Sequence, residues 1–293
     1  MIEKYFSIEP GLARDFINRI RNMKPAKRGI DRCVYLFEGY AVLSTGRLKL
    51  RNVDVRDDNL FYYDDIIKKL AKLYDDGVHV VPVLGYCYDP ETADGSGYIF
   101  QRRATGCELY DDSVICIYEV WTQDKSEIYL KSGVSMTEED SKEYILARTH
   151  TIANAPQRHF DKLIQDIRAI LNRDILIDFQ GKSNFFYDEK EGFYFIDLDT
   201  HTDHFYGLTK EPLDVDTMTA IGGFVPCHFG AKTKIFAPIA LDERAVQEIG
   251  EHNLKCLAAD NARIFAKCKA AILGNGISEG TLKAVLEKVK IYE

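Results

Sequence analysis

Two aromatic runs separated by four polar or small residues limit what this chain can become. Asn184-Phe-Phe-Tyr-Asp188 and Phe193-Tyr-Phe-Ile-Asp197 flank Glu189-Lys-Glu-Gly192. Residues this rich in aromatic rings favour extended backbone, where bulky side chains pack on a pleated surface. A short polar connection ending in glycine is a hairpin signal, because glycine adopts backbone angles that other residues resist. The pattern predicts an antiparallel hairpin with acids and an amide at its strand ends. Pairing symmetric about the 190–191 bond sets Asn184 directly across from Asp197, with Cβ atoms roughly 4.5–5.5 Å apart. Asp199, two residues on, then faces the same side as Asp197. Upstream, Ile175-Leu-Ile-Asp178 ends another apolar run with a carboxylate, at the mouth of the loop leading to the hairpin.

Those strand ends have two chemical readings. Polar residues there can simply cap turns on a structural hairpin, and a lone Asp–Asn pair is best read that way. A carboxylate and an amide oxygen held together are also hard ligands, suited to a magnesium ion that keeps water and phosphate oxygens in its shell. Here the pair coincides with Asp178 and with a two-part chain texture. That agreement favours a magnesium–nucleotide site, with Asp178 left to meet a second substrate.

Composition narrows the partners. The 293 residues suffice for one large domain or two lobes with a sizeable core. A 46% hydrophobic share with 29% charged residues belongs to a folded globular chain. Net charge −8 and a pI near 5.5 argue against nucleic acid as the main partner, since phosphate binding needs a basic surface. Seven cysteines, odd in number and never spaced Cys-x-x-Cys, argue against a disulfide framework or structural zinc. They suit a reducing, cytoplasmic setting. The opening stretch has acids and no apolar core, unlike a secretory leader. No apolar run is long enough to predict a membrane span.

The texture changes along the chain. Pro10 to Asn22 places Leu12, Phe16 and Ile20 on one helical face. Arg32 to Arg51, broken by Gly39 and Gly46, predicts two or three strands. Residues 60–75 carry Ile66, Leu70, Leu73 and Tyr74 at helical spacing, and 78–89 and 97–103 read as two more strands. Beyond Gly106, residues 156–171 put Phe160, Leu163, Ile164, Ile167 and Leu171 on one face of an amphipathic helix. The last fifty residues read as helical, with Ser278 as an N-cap. A strand-rich first third followed by a mostly helical remainder predicts two lobes with a cleft between them, divided near 104–108.

The stretch 175–199 resembles the protein-kinase-like superfamily, including its aminoglycoside and choline phosphotransferase branch. In that family a catalytic-loop aspartate precedes a metal-holding asparagine, and a metal-binding aspartate ends a hairpin. Asp178, Asn184 and Asp197 match those roles, and the Asn-to-Asp interval of thirteen is the one familiar from protein kinases. "IDLD", ending at Asp199, is similar to the "IDFD" of the small-molecule phosphotransferases, and "GYIFQRRATGCEL" (97–109) to their strand-hinge passage. The resemblance covers roughly residues 30–273 in lobe order. It implies a bilobal α+β fold: a small antiparallel-sheet N-lobe with one main helix (1–104) and a larger, mostly helical C-lobe (105–293). It also implies ATP and Mg2+ as cofactors and a hydroxyl on a small molecule or protein as acceptor. Asp178 would orient that hydroxyl, Lys182 would stabilise the transferring phosphoryl group, and Asn184, Asp197 and Asp199 would serve the metal. Gln101, Arg102 and Arg103 would lie at the hinge.

The sequence departs from the family at three points. The Asp178-to-Asn184 interval is six, one longer than usual, with Leu176 and Ile177 in place of the histidine-containing lead-in. No glycine-rich phosphate loop occurs in 32–51, and Ser44 stands in "YAVLS" where the strand lysine belongs. No glutamate occurs in 57–76. Lys49, between Arg47 and Arg51 on one strand face, is one candidate for the missing cation, with Asp64 or Asp65 as its acidic partner; a solvated edge face is the equal alternative. The missing pair keeps open a pseudokinase, a binding module without transfer activity, and the fold also admits AMP transfer. The His201–His204 pair reads as loop polarity without a third ligand. His150 and His159 read as structural. The segment 110–135, with Trp121, reads either as an acceptor pocket or as a packed strand pair.

Overall fold

The computed structural model describes residues 2–28, 32–45, 67–88, 97–103, 107–108, 146–147, 149–177, 185–196, 198–199, 214–224 and 251–288. They fall in two compact units, residues 1–105 and 106–293.

In the first unit six strands form one antiparallel sheet: β1 (Ile2–Tyr5), β2 (Lys27–Arg28), β3 (Arg32–Phe37), β4 (Tyr40–Thr45), β5 (Val83–Tyr88) and β6 (Gly97–Arg102). Their order is β1-β5-β6-β4-β3-β2. Both faces are buried. Helix α1 (Pro10–Ile20) lays Ala13, Phe16 and Ile20 on Phe37, Val42, Leu84, Cys87 and Phe100, with Phe16 stacked on Phe37 at 4.2 Å between ring centroids. On the other face Ile67, from the helix over 67–75 (α2), packs with Val83, Tyr86 and Ile99. Alternation explains the division: Val42 pairs with Phe100 and Leu43 with Ile99, so adjacent residues feed opposite layers. A bulge between Val83 and Gly85 shifts the register of β5. A Cβ on Gly85 would lie 2.9 Å from the Lys4 carbonyl oxygen, so only glycine lets β1 pair there.

The second unit is mainly helical: α3 (149–154), α4 (Gln157–Leu171), α5 (Val215–Phe224), α6 (Glu251–Gly274) and α7 (Glu279–Lys288). Two small antiparallel ladders accompany the helices. One joins β7 (Cys107–Glu108), β9 (Phe185–Asp188) and β10 (Gly192–Phe195); the other joins β8 (Leu176–Ile177) to β11 (Leu198–Asp199). Helix α4 buries the expected stripe, Phe160, Leu163, Ile164, Ile167 and Leu171, and adds Ile170. Ser278 caps α7, its hydroxyl accepting from the Thr281 amide at 3.0 Å. An antiparallel sheet with one helix on each face, then a helical unit carrying short ladders, is the expected α+β order. Among the described residues no helix is long and apolar enough to cross a membrane.

Some boundaries differ from expectation. The strand expected over 78–89 is regular only from Val83, because Pro82 lacks the amide a ladder needs. β1 and β2 carry no alternating apolar signal; they exist because β5 and β3 offer unpaired edges. The expected helix over 60–75 is described from residue 67.

Asp214 caps α5. Its carboxylate accepts from the Thr217 amide at 2.9 Å and the Thr217 hydroxyl at 2.6 Å, and these bonds hold its pKa below the ordinary value of 3.8. A lowered folded-state pKa makes the contribution complete above about 3.8 and lost as pH falls through the lowered value. Asp214→Ala should therefore cost about 1 kcal/mol at neutral pH. In thermal unfolding the gap from the parent should narrow as the pH falls below the ordinary carboxylate value.

Candidate functional site

The expected site is approached along α4. At its C-terminal end Asp174 takes a left-handed φ of 55°, and the Asp174 amide returns to the Leu171 carbonyl at 3.1 Å. Aspartate tolerates this conformation better than most residues. The turn sends a buried Ile175 into β8, whose Leu176 and Ile177 pair with Asp199 and Leu198 of β11. Asp178 follows Ile177 and Asp197 precedes Leu198 in the sequence. The described chain neighbours of the two principal carboxylates are thus paired with each other.

The hairpin is present, with one correction. Its pairs are Asp188–Gly192, Tyr187–Phe193, Phe186–Tyr194 and Phe185–Phe195, so it is centred on Lys190 and not on the 190–191 bond. Gly192 belongs to the ladder, and the loop is the three residues 189–191. The cause is local. Asp188 Oδ1 accepts from the amides of Lys190 and Glu191 at 2.8 and 3.1 Å, and Gly192 at φ 97° closes the turn. A one-residue slip moves every side chain to the other face. Direct opposition of Asn184 and Asp197 therefore does not follow from this ladder. Asp199 lies in β11 opposite Leu176, on a different ladder from the hairpin.

The hairpin is seated on α4. Phe193 meets Phe160 edge-on at 5.4 Å and Tyr187 at 5.0 Å between ring centroids. His159 Nδ1 and the Tyr187 hydroxyl are 3.1 Å apart in a buried hydrogen bond. Burial, followed by the nearby charges of Glu189 and Asp188, pushes the Tyr187 pKa up to about 12, so its phenol keeps its proton. The sequence signal for His159 was its place one helical turn before Leu163 on the apolar stripe, where a polar residue needs a partner.

The remaining expected residues divide clearly. Gln101 is buried inside β6, between Ala41 of β4 and Val83 of β5. Arg102 ends β6 with its guanidinium 5.6 Å from the Tyr74 ring centroid, and the Arg103 amide donates to the Gly39 carbonyl at 3.0 Å. Asp178, Lys182, Asn184, Asp197, Lys49, Asp64, Asp65, His201, His204 and Trp121 lie outside the described residues. Among the described residues no three His, Cys, Asp or Glu side chains cluster as a metal site. His150 pairs with the buried Asp260 at 3.1 Å, and among the described residues Cys33, Cys87, Cys256 and Cys268 form no disulfide.

No protein-family model matches the chain, and no curated protein sequence matches it. Solved structures do align. A rhoptry antigen kinase domain of Toxoplasma gondii aligns at 7% identity and a TM-score of 0.43, over 92% of this chain and 81% of that one. A PAN3 pseudokinase mutant of Neurospora crassa aligns at 9% identity and a TM-score of 0.34, over 96% and 76%. At such scores neither alignment bears on activity. The weight falls on the chain's own strand order and pairing.

Gly192 offers a direct test of the seating. A Cβ there would lie 3.3 Å from His159 Cγ, at a φ that L side chains avoid. Gly192→Ala should lower stability by roughly 1–2 kcal/mol, seen as a fall in Tm with the far-ultraviolet circular dichroism unchanged.

Proposed function

We propose that the protein is an ATP- and Mg2+-dependent phosphotransferase of kinase-like fold, acting on a hydroxyl group. One observation carries this reading: Ile177 pairs with Leu198. That pairing joins the two described residues that adjoin Asp178 and Asp197 in the sequence. Two carboxylates tethered to one ladder, 19 residues apart in sequence (197 − 178), are what a metal ligand and a proton acceptor require.

Each residue then has a role. The donor chemistry of Asn184 and Asp197 fits magnesium, which prefers hard oxygen ligands, with Asp199 as an auxiliary acid. The ion would supply charge neutralisation for phosphate oxygens. Asp178 orients the acceptor hydroxyl and takes its proton. Lys182 offsets charge developing on the transferred group, and Lys49, with Asp65, anchors the phosphates. Gln101, Arg102 and Arg103, at and just past the end of β6, would border the base.

Ser44 favours a second reading. It sits within β4 between Cys33 and Tyr98, where the family's lysine is expected, so one phosphate contact is lacking there. A pseudokinase that binds without transferring accommodates that loss.

Two variants separate the readings. Asp197→Ala should abolish the magnesium-dependent part of ATP binding measured by titration calorimetry. Asp178→Ala should keep ATP affinity while lowering turnover by roughly 10²–10⁴-fold, the loss expected for a general base. Parent protein that binds Mg–ATP without turnover supports the pseudokinase; parent protein that binds none sinks both readings. Lys49→Met with unchanged ATP binding would move the phosphate anchor elsewhere.

A further inference from the structure

Helix α6 carries an imidazole and a thiol one turn apart. His252 Nε2 and Cys256 Sγ lie 3.8 Å from each other, and both residues are exposed. Residues four apart on a helix share one face, so the backbone itself brings these two side chains together. Asp260 follows one turn further on. Its Oδ1 accepts from Arg263 and its Oδ2 meets His150 of α3. Those bonds engage both carboxylate oxygens, which leaves the chelating pair as His252 and Cys256.

The separation matches that of two donors on one metal ion. A zinc ion sits about 2.3 Å from a thiolate sulfur and about 2.0–2.1 Å from an imidazole nitrogen. At the tetrahedral angle those bond lengths set nitrogen and sulfur about 3.6 Å apart, close to the 3.8 Å observed. Donors already held near this distance lose little further freedom on binding. Their chemistry also selects the ion. A thiolate with an imidazole suits zinc and its transition-metal neighbours, whereas magnesium takes oxygen ligands. Structural zinc sites close with four protein ligands; two protein ligands leave positions for water.

We propose that His252 and Cys256 form a surface chelate for a divalent transition-metal ion of the zinc class, with water completing its shell. On binding, the Cys256 thiol releases its proton to solvent and the ion joins two successive turns of α6. The site differs in sequence position and in donor type from the proposed magnesium ligands, and it stands whether or not the protein transfers phosphate.

The test is a cobalt(II) titration of the full chain in excess MgCl2 under a phosphine reductant, followed by absorption. The parent should develop a thiolate-to-cobalt charge-transfer band in the near ultraviolet, saturating at one equivalent and displaced by zinc. Cys256→Ser should abolish the band. His252→Ala should weaken cobalt binding at least roughly tenfold, the smaller loss seen when even a supporting residue of a metal site is removed. Cys33→Ser, which alters a thiol of the first unit, should behave as the parent does. Zinc should raise the Tm of the parent and leave that of Cys256→Ser unchanged. A parent without the band would overturn the chelate, as would a band that survives Cys256→Ser. Equal cobalt affinity in the parent and His252→Ala would overturn it too, since the thiol would then be acting alone. Both side chains are exposed, so these variants should fold, with far-ultraviolet circular dichroism as the check.

Discussion

Burial of the α4 stripe is the interaction on which the second unit depends. Phe160, Leu163, Ile164, Ile167, Ile170 and Leu171 are all enclosed, and α5, α6 and β10 each pack on this helix. A fully buried side chain of this size stabilises by about 1.5–3 kcal/mol relative to exposure. No other described element of this unit has as many of its side chains buried. β8 leaves α4 through the tight turn at Asp174, and the hairpin rests on Phe160 and His159. One helix thus sets the height of both ladders that flank the proposed ligands.

Polar ties orient what the apolar stripe attracts. Arg168 bonds the Asn275 carbonyl and the Asp216 carboxylate, joining α4 to α5 and to the turn between α6 and α7. Lys267 donates to the carbonyls of Ala153 and Ala155 at the end of α3, and the Gln157 amide returns a bond to the Lys267 carbonyl at 3.0 Å. Cations belong at a helix C-terminus, where carbonyls lack partners within the helix. Buried Asp260 is held by Arg263 and His150, and buried Asp166 by Lys162. Such pairs add little net stability, because desolvation offsets attraction. Their effect is on angle and register, which greasy contacts leave loose.

Much of this was legible in the residues. The period of Phe160, Leu163, Ile164, Ile167 and Leu171 announced α4, and Ser278 marked the start of α7. Aromatic runs around a glycine announced a hairpin. β1 and β2 were not legible, since Ile2–Tyr5 and Lys27–Arg28 are strands only because neighbours lend them an edge. The candidate site was legible as residue types in order, Asp178, Asn184 and Asp197, but not as a set of opposed pairs. Asp188 shifts the hairpin by one residue through bonds to two backbone amides, and composition carries no sign of that choice.

Residue order alone settles which segments bury one face, which of those segments become helix or strand, and which chemistry is on offer: the hard oxygen donors of Asp178, Asn184 and Asp197. Side-chain periodicity is local, so a one-dimensional pattern carries it. The tertiary structure decided which ladder each acid adjoins. It set Asp199 against Leu176 and Phe185 against Phe195, and it turned His159 from a polar blemish on an apolar stripe into the partner of Tyr187. Strand register and buried hydrogen bonds depend on residues distant in the chain meeting in one orientation. That meeting is a property of packing, and packing exists only once the chain has closed on itself.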